Sequence, residues 1–271
     1  MKRGRHVRLE NRYAEIEGVL TYIHQHLFEP LTLDQLARYA AYSPFHFSRL
    51  FKERVGLSPQ YYISSLRLQK SKDLLLNTHL TIRDVALEIG QQSLGTFTTR
   101  FTERVGMTPS EFRNSRHDTV QRLRALQMLD EWHTAYSVES SSSVIEGTVT
   151  ADVPFNGVIL IGLFAKPIPE GLPLYGTLLP SLGRFRFCNV SPGTYYVMAT
   201  SVSWNMQAAD ILLTETTLRS RTKAPIIVNP YSSVPYQEVK LYPPSLDDPP
   251  ILISQPLLMN RFLSRKFTPT R

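Results

Sequence analysis

Hydrophobic positions in the first half of the chain recur at helical spacing, and the pattern is present twice. Residues 47–62 and 97–112 share Phe, Glu, Arg, Val, Gly and Pro at equivalent positions with an offset of 50. Each stretch follows a short helical pattern, at 32–37 and 81–86. A fixed internal period indicates a duplicated supersecondary unit. The chain is therefore predicted to contain two helix-turn-helix units joined by a helix.

Local chemistry predicts where these helices begin and end. Thr32 with Gln35, and Thr108 with Glu111, have the spacing of capping boxes. Each of three Ser-Pro or Thr-Pro pairs, at 43–44, 58–59 and 108–109, offers a capping oxygen followed by a proline that is tolerated at the first helical position. Gly56 and Gly106 are expected to end helices over 44–55 and 94–105, because glycine adopts the left-handed conformation without strain. The units thus span 32–55 and 81–105.

The residues left outside the predicted cores are candidates for reading duplex DNA. The second helix of such a unit enters the major groove with its N-terminal residues at the base edges. Arg49 can bond guanine bidentately, and threonine or phenylalanine can contact a thymine methyl group. The second unit has few strong donors, so methyl contacts and DNA shape are expected to matter more there. The candidate DNA-binding residues are Pro44, Phe45, His46, Ser48, Arg49, Lys52, Leu94, Gly95, Thr96, Thr98, Thr99, Arg100 and Arg104.

Further basic residues are candidates for phosphate contacts, although a merely solvated role is an equally good interpretation of each. Besides Lys52, Arg100 and Arg104, they are Arg54, Arg67, Lys70 and Lys72.

Residues 12–116 resemble the DNA-binding domain of AraC/XylS-type bacterial transcription regulators. The resemblance rests on the stretches 33–37, 43–52 and 82–113, including the helix that carries Arg67. It implies two recognition helices in successive major grooves, about 34 Å apart. The chain departs from the family at Gln91, where an aromatic residue is common after the glycine, and at Ala41, where glycine is frequent.

A trailing helix and a linker are predicted to end the first domain, residues 1–135. Val120, Leu123, Leu126, Leu129 and Trp132 have amphipathic helical spacing. Docking of this helix on its own domain is the simpler interpretation, and dimerisation through it is the alternative. The serine-rich tract that follows, 136–143, has the composition of a flexible linker.

The remainder, 144–271, has the alternation and turn signals of short strands. They are predicted at 144–151, 157–164, 184–190, 194–202, 225–229, 237–242 and 251–254. Residues 184–190 and 194–202 are expected to pair as an antiparallel hairpin across the turn at 191–193. About seven such segments indicate an antiparallel β-sandwich. The phrases 146–150 and 183–196 are similar to carboxypeptidase-regulatory-like, transthyretin-type sandwiches. The predicted fold class is therefore multidomain, an all-α double helix-turn-helix domain followed by an antiparallel β-sandwich.

Composition and charge agree with nucleic-acid binding in the first half. The net charge of the 271 residues is +7. Residues 1–135 contain 19 Lys or Arg and 14 Asp or Glu, a net +5, against +2 for the rest. A single cysteine, Cys188, excludes an internal disulfide and fits a reducing compartment. No apolar signal stretch follows the basic N-terminus, so a cytoplasmic location is expected.

The sequence indicates no catalytic, metal or cofactor site. All seven histidines precede residue 135, so a Ser–His–Asp arrangement within the β-rich half is excluded. His24 and His26 point to different faces of a helix and cannot share a metal. Asp247 and Asp248 are interpreted as solvated loop charges. For Cys188, packing is favoured over a redox role.

The interpretation is a bacterial, DNA-binding transcription regulator that is not an enzyme. Its expected partner is double-stranded DNA. A small-molecule effector or a protein at the β-rich half, a second copy of the chain and RNA polymerase are further candidates, whereas a membrane is not. The alternatives are an architectural DNA-binding protein without an effector, and an enzyme hidden in the β-rich half.

Overall fold

The computed structural model describes residues 2–130, 132, 143–230 and 233–267. Of the predicted linker, residues 136–143, only Ser143 lies within the described residues. The described chain consists of a helical first half and a β-rich second half.

Eight helices form the described first half, and five of them begin after a residue whose side chain caps the helix. They are α1 (Lys2–Gln25), α2 (Leu33–Tyr39), α3 (Pro44–Val55), α4 (Pro59–Asn77), α5 (Ile82–Glu88), α6 (Leu94–Val105), α7 (Pro109–Arg113) and α8 (Arg116–Gln127). The capping boxes at Thr32 and Thr108 are both present. Gly56 and Gly106 end α3 and α6 with φ of 86° and 89°. These boundary predictions are confirmed.

One predicted cap is wrong. The Ser58 side chain makes no capping hydrogen bond, although Ser43, in the same Ser-Pro context, accepts one from the amide of His46. The start of α4 is therefore set by Pro59, whose φ is already helical.

The duplication in sequence is a duplication in packing. Phe47 and Phe51 lie with ring centroids 5.7 Å apart, and Phe97 and Phe101 lie 5.6 Å apart. In each unit the second phenylalanine packs on an aromatic residue of the next helix at 5.6 Å, Tyr62 in one and Phe112 in the other. All of these rings are buried, as the helical spacing predicted.

The β-rich half contains two sheets. Its elements are β1 (Ile145–Ala151), β2 (Gly157–Phe164), β3 (Tyr175–Leu179), β4 (Gly183–Phe187), β5 (Gly193–Ser203), α9 (Ala208–Leu213), β6 (Arg219–Arg221), β7 (Ile226–Val228), β8 (Gln237–Leu241) and α10 (Gln255–Phe267). One sheet has the order β4-β1-β8, and the other has the order β3-β2-β5-β6 with β7 also paired to β5. Side chains of both sheets form one buried cluster.

The predicted hairpin between 184–190 and 194–202 is wrong. β4 pairs with β1, whereas β5 pairs with β2, so the two segments lie in different sheets. Phe185 and Phe187 of β4 and Tyr195 and Val197 of β5 enter the same core. The alternation is therefore satisfied equally by neighbours in one sheet and by strands facing each other across the core.

Other parts of the strand prediction also need correction. β1 and β8 run parallel, so the sheets are not purely antiparallel. Residues 251–254 form no strand, because their amides donate to loop and helix carbonyls instead: Leu252 and Ile253 to Pro169, and Ser254 to Val105. The sequence interpretation also missed β3, β6, α9 and α10.

Helices cover the outer face of the larger sheet. Val158 and Leu160 of β2 lie in a cluster with Leu123 and Leu126 of α8. The same cluster contains Ile211, Met259, Phe262 and Leu263 of α9 and α10. Both faces of β2 are thus buried. The trailing helix, which ends at Gln127 rather than Trp132, therefore packs on the β-rich half and not only on the domain to which the sequence interpretation assigned it.

Candidate nucleic-acid interface

The N-terminal part of α3 presents an exposed row of side chains. Phe45 is 83% exposed, and Pro44, Arg49 and Lys52 are also exposed. His46 and Ser48 are partly exposed. Ser43 fixes the start of this helix by accepting from the His46 amide at 3.4 Å. The predicted row is therefore on the surface, while Phe47 and Leu50 on the opposite side are buried.

His46 and Arg49 are neighbours within this row. The His46 ring packs edge-on against Tyr42, with centroids 4.9 Å apart. Nη2 of Arg49 lies 3.3 Å from Nδ1 of His46. This contact orients the guanidinium along the exposed face, and its other N–H groups remain available for a planar acceptor pair.

α6 presents the equivalent row in the second unit. Leu94 is 43% exposed, Gly95, Thr96, Thr99 and Arg100 are exposed, and Thr98 is partly exposed. The hydroxyl of Ser93 caps the helix by accepting from the amide of Thr96 at 3.3 Å. Nη1 of Arg100 lies 3.4 Å from Oε1 of Gln91, so the unusual glutamine positions a basic side chain.

α4 sets the separation of the two rows. Its 19 residues correspond to roughly 28 Å of helix. Arg67 on α4 donates to the carbonyls of Leu27 at 2.9 Å and Glu29 at 2.8 Å. These bonds join the middle of α4 to the chain that follows α1. The predicted phosphate contact of Arg67 is therefore replaced by a structural role.

Lys72 is another residue for which a phosphate contact was predicted, and the structure contradicts it. Its side chain is completely buried, and Nζ donates to the carbonyl of Ile251 at 3.1 Å and to Oε1 of Gln69 at 3.2 Å. Burial lowers the pKa of Lys72 to about 7. A side chain in this position cannot reach a phosphate, so the prediction is wrong. Its spacing from Leu68 and Leu75, both buried on α4, was the signal in the sequence.

Arg54 and Arg104 occupy equivalent positions in the repeat, and both contact the β-rich half. Arg104 Nε lies 2.6 Å from Oε2 of Glu170, and the arginine side chain is 12% exposed. Arg54 contacts Glu17 at 3.0 Å and Asp247 at 3.4 Å. In the described conformation, the candidate phosphate contact of Arg104 is therefore in competition with an ion pair between the two halves.

The C-terminal ends of both α3 and α6 are bonded to the β-rich half. Arg221 donates from Nη1 to the carbonyl of Val55, the last residue of α3, at 2.7 Å. The amide of Gly171 donates to the carbonyl of Arg104 at 2.7 Å, and that of Ser254 donates to Val105, the last residue of α6, at 2.9 Å. Helix-terminal carbonyls lack partners within their own helix, so these bonds complete both ends.

The aspartates at 247 and 248 belong to this junction, and their interpretation as solvated charges is wrong. Both are buried. Asp248 Oδ1 lies 3.2 Å from Nε of Arg221. Burial raises the pKa of Asp247, but the Ser245 hydroxyl and the charges of Lys223 and Arg54 outweigh it and hold that pKa below its usual value. No pattern in the helical half could indicate that Arg54 pairs with Asp247, because Asp247 lies in a loop more than 100 residues further along the chain.

Metal ligation, the single cysteine and membrane-spanning helices were further questions raised by the sequence. There, no three His, Cys, Asp or Glu side chains converge as metal ligands. Cys188 is partly buried and unpaired. Within the same residues, no helix has the length and apolar character needed to cross a membrane.

Comparison with known proteins finds a helix-turn-helix family and relatives that match part of the chain. The sequence model of a family described as helix-turn-helix domain matches residues 36–115. The uncharacterized HTH-type transcriptional regulator YobQ of Bacillus subtilis is 43% identical over 96 residues, 35% of this chain and 40% of that protein. The right origin-binding protein of Escherichia coli is 38% identical over 100 residues, 37% and 35% of the respective chains.

A solved structure is also similar to part of the chain. The AraC-type DNA-binding domain-containing regulator of Chromobacterium violaceum is 27% identical, with a TM-score of 0.37, and the match covers 39% of this chain and 95% of that one. The chain spans two-fifths or less of the length of the curated relatives named here.

Proposed function

We propose that residues 36–115, which match a helix-turn-helix family, form a DNA-binding domain of the AraC type, and that the chain is a transcription regulator that binds specific sequences in duplex DNA. The observation that carries the proposal is the duplicated surface. α3 and α6 are packed identically through paired phenylalanines, and each turns an exposed row away from that core. A second helix in this setting is the element that enters a major groove.

The two rows are assigned different kinds of readout. On α3, Arg49 is the base-reading side chain, because a guanidinium can bond two acceptors of guanine at once. Phe45 meets a thymine methyl group, Lys52 binds phosphate, and Pro44, His46 and Ser48 complete the contact surface. On α6, Leu94, Gly95, Thr96, Thr98 and Thr99 provide methyl and close backbone contacts, with Arg100 toward the phosphates. Arg104 reaches a phosphate only when its ion pair with Glu170 is broken.

The domain organisation is part of the proposal. We infer a double helix-turn-helix domain with α4 as the connecting helix, and a sandwich formed by the two sheets that share one core. α4 spaces α3 and α6 so that they occupy successive major grooves, as the exposure of both rows supports. Dimerisation and contact with RNA polymerase stay predictions of the sequence.

The β-rich half is proposed to control DNA binding. The bonds from Arg221 to α3 and from Gly171 and Ser254 to α6 support this role, because they hold the ends of both recognition helices. A ligand that favours one arrangement of the halves changes the population of DNA-competent molecules.

A second candidate function is architectural DNA binding without an effector. One relative, the right origin-binding protein of Escherichia coli, is named for binding an origin rather than for regulating transcription, which favours this alternative. Both candidates use the same helices, and they differ in sequence preference.

Selection of duplexes by the full chain from a random pool, followed by salt titration on selected and scrambled duplexes, separates the two. A regulator retains a specificity ratio of roughly 10³ or more at physiological salt. A ratio near one at all salt concentrations contradicts the regulator and leaves the architectural protein. Absence of binding to any duplex contradicts both.

A further inference from the structure

A small cavity lies between the larger sheet of the β-rich half and the segment that leads into α10. It has a volume of about 70 Å³. Its walls are mainly apolar and include Leu160, Phe164, Leu178, Met198, Leu258 and Phe262. The lining, apolar with a few polar groups, is typical of small-molecule sites, but the volume is below the roughly 300–1,000 Å³ of drug-sized sites and admits only a small ligand.

Gln255, the first residue of α10, also lines this cavity and is 1% exposed. Within the described part of the chain, neither its Nε2 nor its Oε1 has a hydrogen-bond partner. Burying an unpaired donor and an unpaired acceptor carries a desolvation penalty, which most native side chains avoid. A buried amide with both atoms unpaired therefore marks a position where another molecule supplies the partners.

We propose that this cavity binds a small ligand with an apolar ring and a cis-amide edge, the chemistry of a lactam or cyclic imide. An amide presents one donor and one acceptor side by side, and so does the partner edge of such a ligand, so both atoms of Gln255 are satisfied together. A carboxylate is disfavoured because it has no donor for Oε1. Four arginines line the cavity. Arg221 is occupied by Asp248 and Val55, Arg219 by the carbonyls of Thr214 and Thr217, and Arg265 by the carbonyl of Gly176, while Arg261 is exposed to solvent.

The cavity touches the groups that hold both recognition helices. Ser254, directly before Gln255, donates to the end of α6, and Arg221 lines the cavity while donating to the end of α3. A ligand bound here stabilises the arrangement in which the β-rich half holds the two helix ends. The assignment of this ligand as the effector rests on the proposed function, whereas the binding site itself does not.

Binding of δ-valerolactam and of cyclohexanone to the full chain, by calorimetry without DNA, tests the site. The two rings have nearly the same shape, and only the lactam carries an N–H beside its carbonyl. We expect the lactam to bind at least about tenfold more tightly, as one additional buried hydrogen bond allows. Equal affinities, or no saturable binding of either ring at millimolar concentration, overturn the proposal.

Two variants test whether Gln255 is the source of the preference for the lactam. Gln255→Leu should reduce the lactam-to-ketone ratio to near one, whereas Gln127→Leu, at an exposed position on α8, should leave it unchanged. An unchanged lactam-to-ketone ratio in a folded Gln255→Leu protein overturns the role of Gln255. If that variant does not fold, the comparison of the two ligands on the wild-type chain alone decides whether the cavity prefers the lactam. Duplex binding is measured separately, so loss of DNA binding with intact lactam preference contradicts only the proposed function.

Discussion

At the scale of single residues, Arg49 and Lys52 lie one turn apart on α3 and are both exposed. Arg49→Ala should weaken binding to the selected duplex by about 1–3 kcal/mol and relax the preference at one base pair, because a bidentate base contact is removed. Binding measured against duplexes substituted at each position checks this.

Lys52→Ala is the matched control for Arg49→Ala, because Lys52 is proposed to bind phosphate rather than a base. It should lower affinity evenly across sequences and reduce the salt slope by roughly one, since a phosphate contact carries no sequence information. An Arg49→Ala protein with an unchanged preference at every position would refute the base-reading role.

Lys72 makes a prediction about stability and pH. Its pKa is lowered by burial to about 7, so between pH 7 and the usual pKa of 10.5 the unfolded chain binds more protons than the folded chain. The free energy of unfolding should therefore rise with pH in that window. Lys72→Met should remove this rise, and urea unfolding of both proteins at pH 7 to 9 measures the difference. Parallel pH profiles would mean that Lys72 stays charged when buried.

At the scale of elements, the turn between α2 and α3 contains an alanine in the left-handed region. Ala41 has φ of 55°, and Gly90, its counterpart in the second unit, has φ of 78°. A side chain in this conformation costs roughly 1–2 kcal/mol. Ala41→Gly should stabilise the protein by about 1 kcal/mol, and Gly90→Ala should destabilise it by a similar amount. Thermal unfolding that shifts in the same direction for both variants would contradict this account.

The helical elements could be predicted because their determinants are local. Thr32 and Thr108 bond within three residues, and the paired phenylalanines repeat at a fixed offset. Strand pairing depends on distant partners, so the alternation around Phe185 fitted both a hairpin and a strand in the opposite sheet. Residues 251–254, which include the β-branched Ile251 and Ile253, resembled a strand, but the amides of residues 252–254 donate to the carbonyls of Pro169 and Val105.

The residues of the candidate site likewise fall into those that local sequence predicts and those whose surroundings depend on distant partners. The exposed rows on α3 and α6 follow from helical periodicity and could be predicted residue by residue. The environments of Arg54 and Arg104 could not, because they depend on how the β-rich half docks. Asp247 and Glu170, which decide these environments, are separated from the helices by the whole length of the predicted linker and more. For Lys72, the spacing from Leu68 and Leu75 indicated burial but not the Ile251 carbonyl that accepts from it.

At the scale of the whole molecule, the pair between Arg104 and Glu170 joins the two halves. Glu170→Gln should destabilise the protein by roughly 3 kcal/mol, because the arginine is left buried without its counter-charge. Glu146→Gln breaks an exposed pair with Arg186 and should cost less than about 1 kcal/mol. Similar losses from both changes, measured by urea unfolding, would show that the halves do not depend on this contact.

The most direct test of the central claim is major-groove methylation protection of a selected duplex by the full chain, alone and with Arg49→Ala or Thr99→Ala. The account predicts two protected segments about one helical turn apart, with each variant losing protection in only one of them. A single protected segment, or one that responds equally to both variants, would contradict the placement of α3 and α6 in successive grooves.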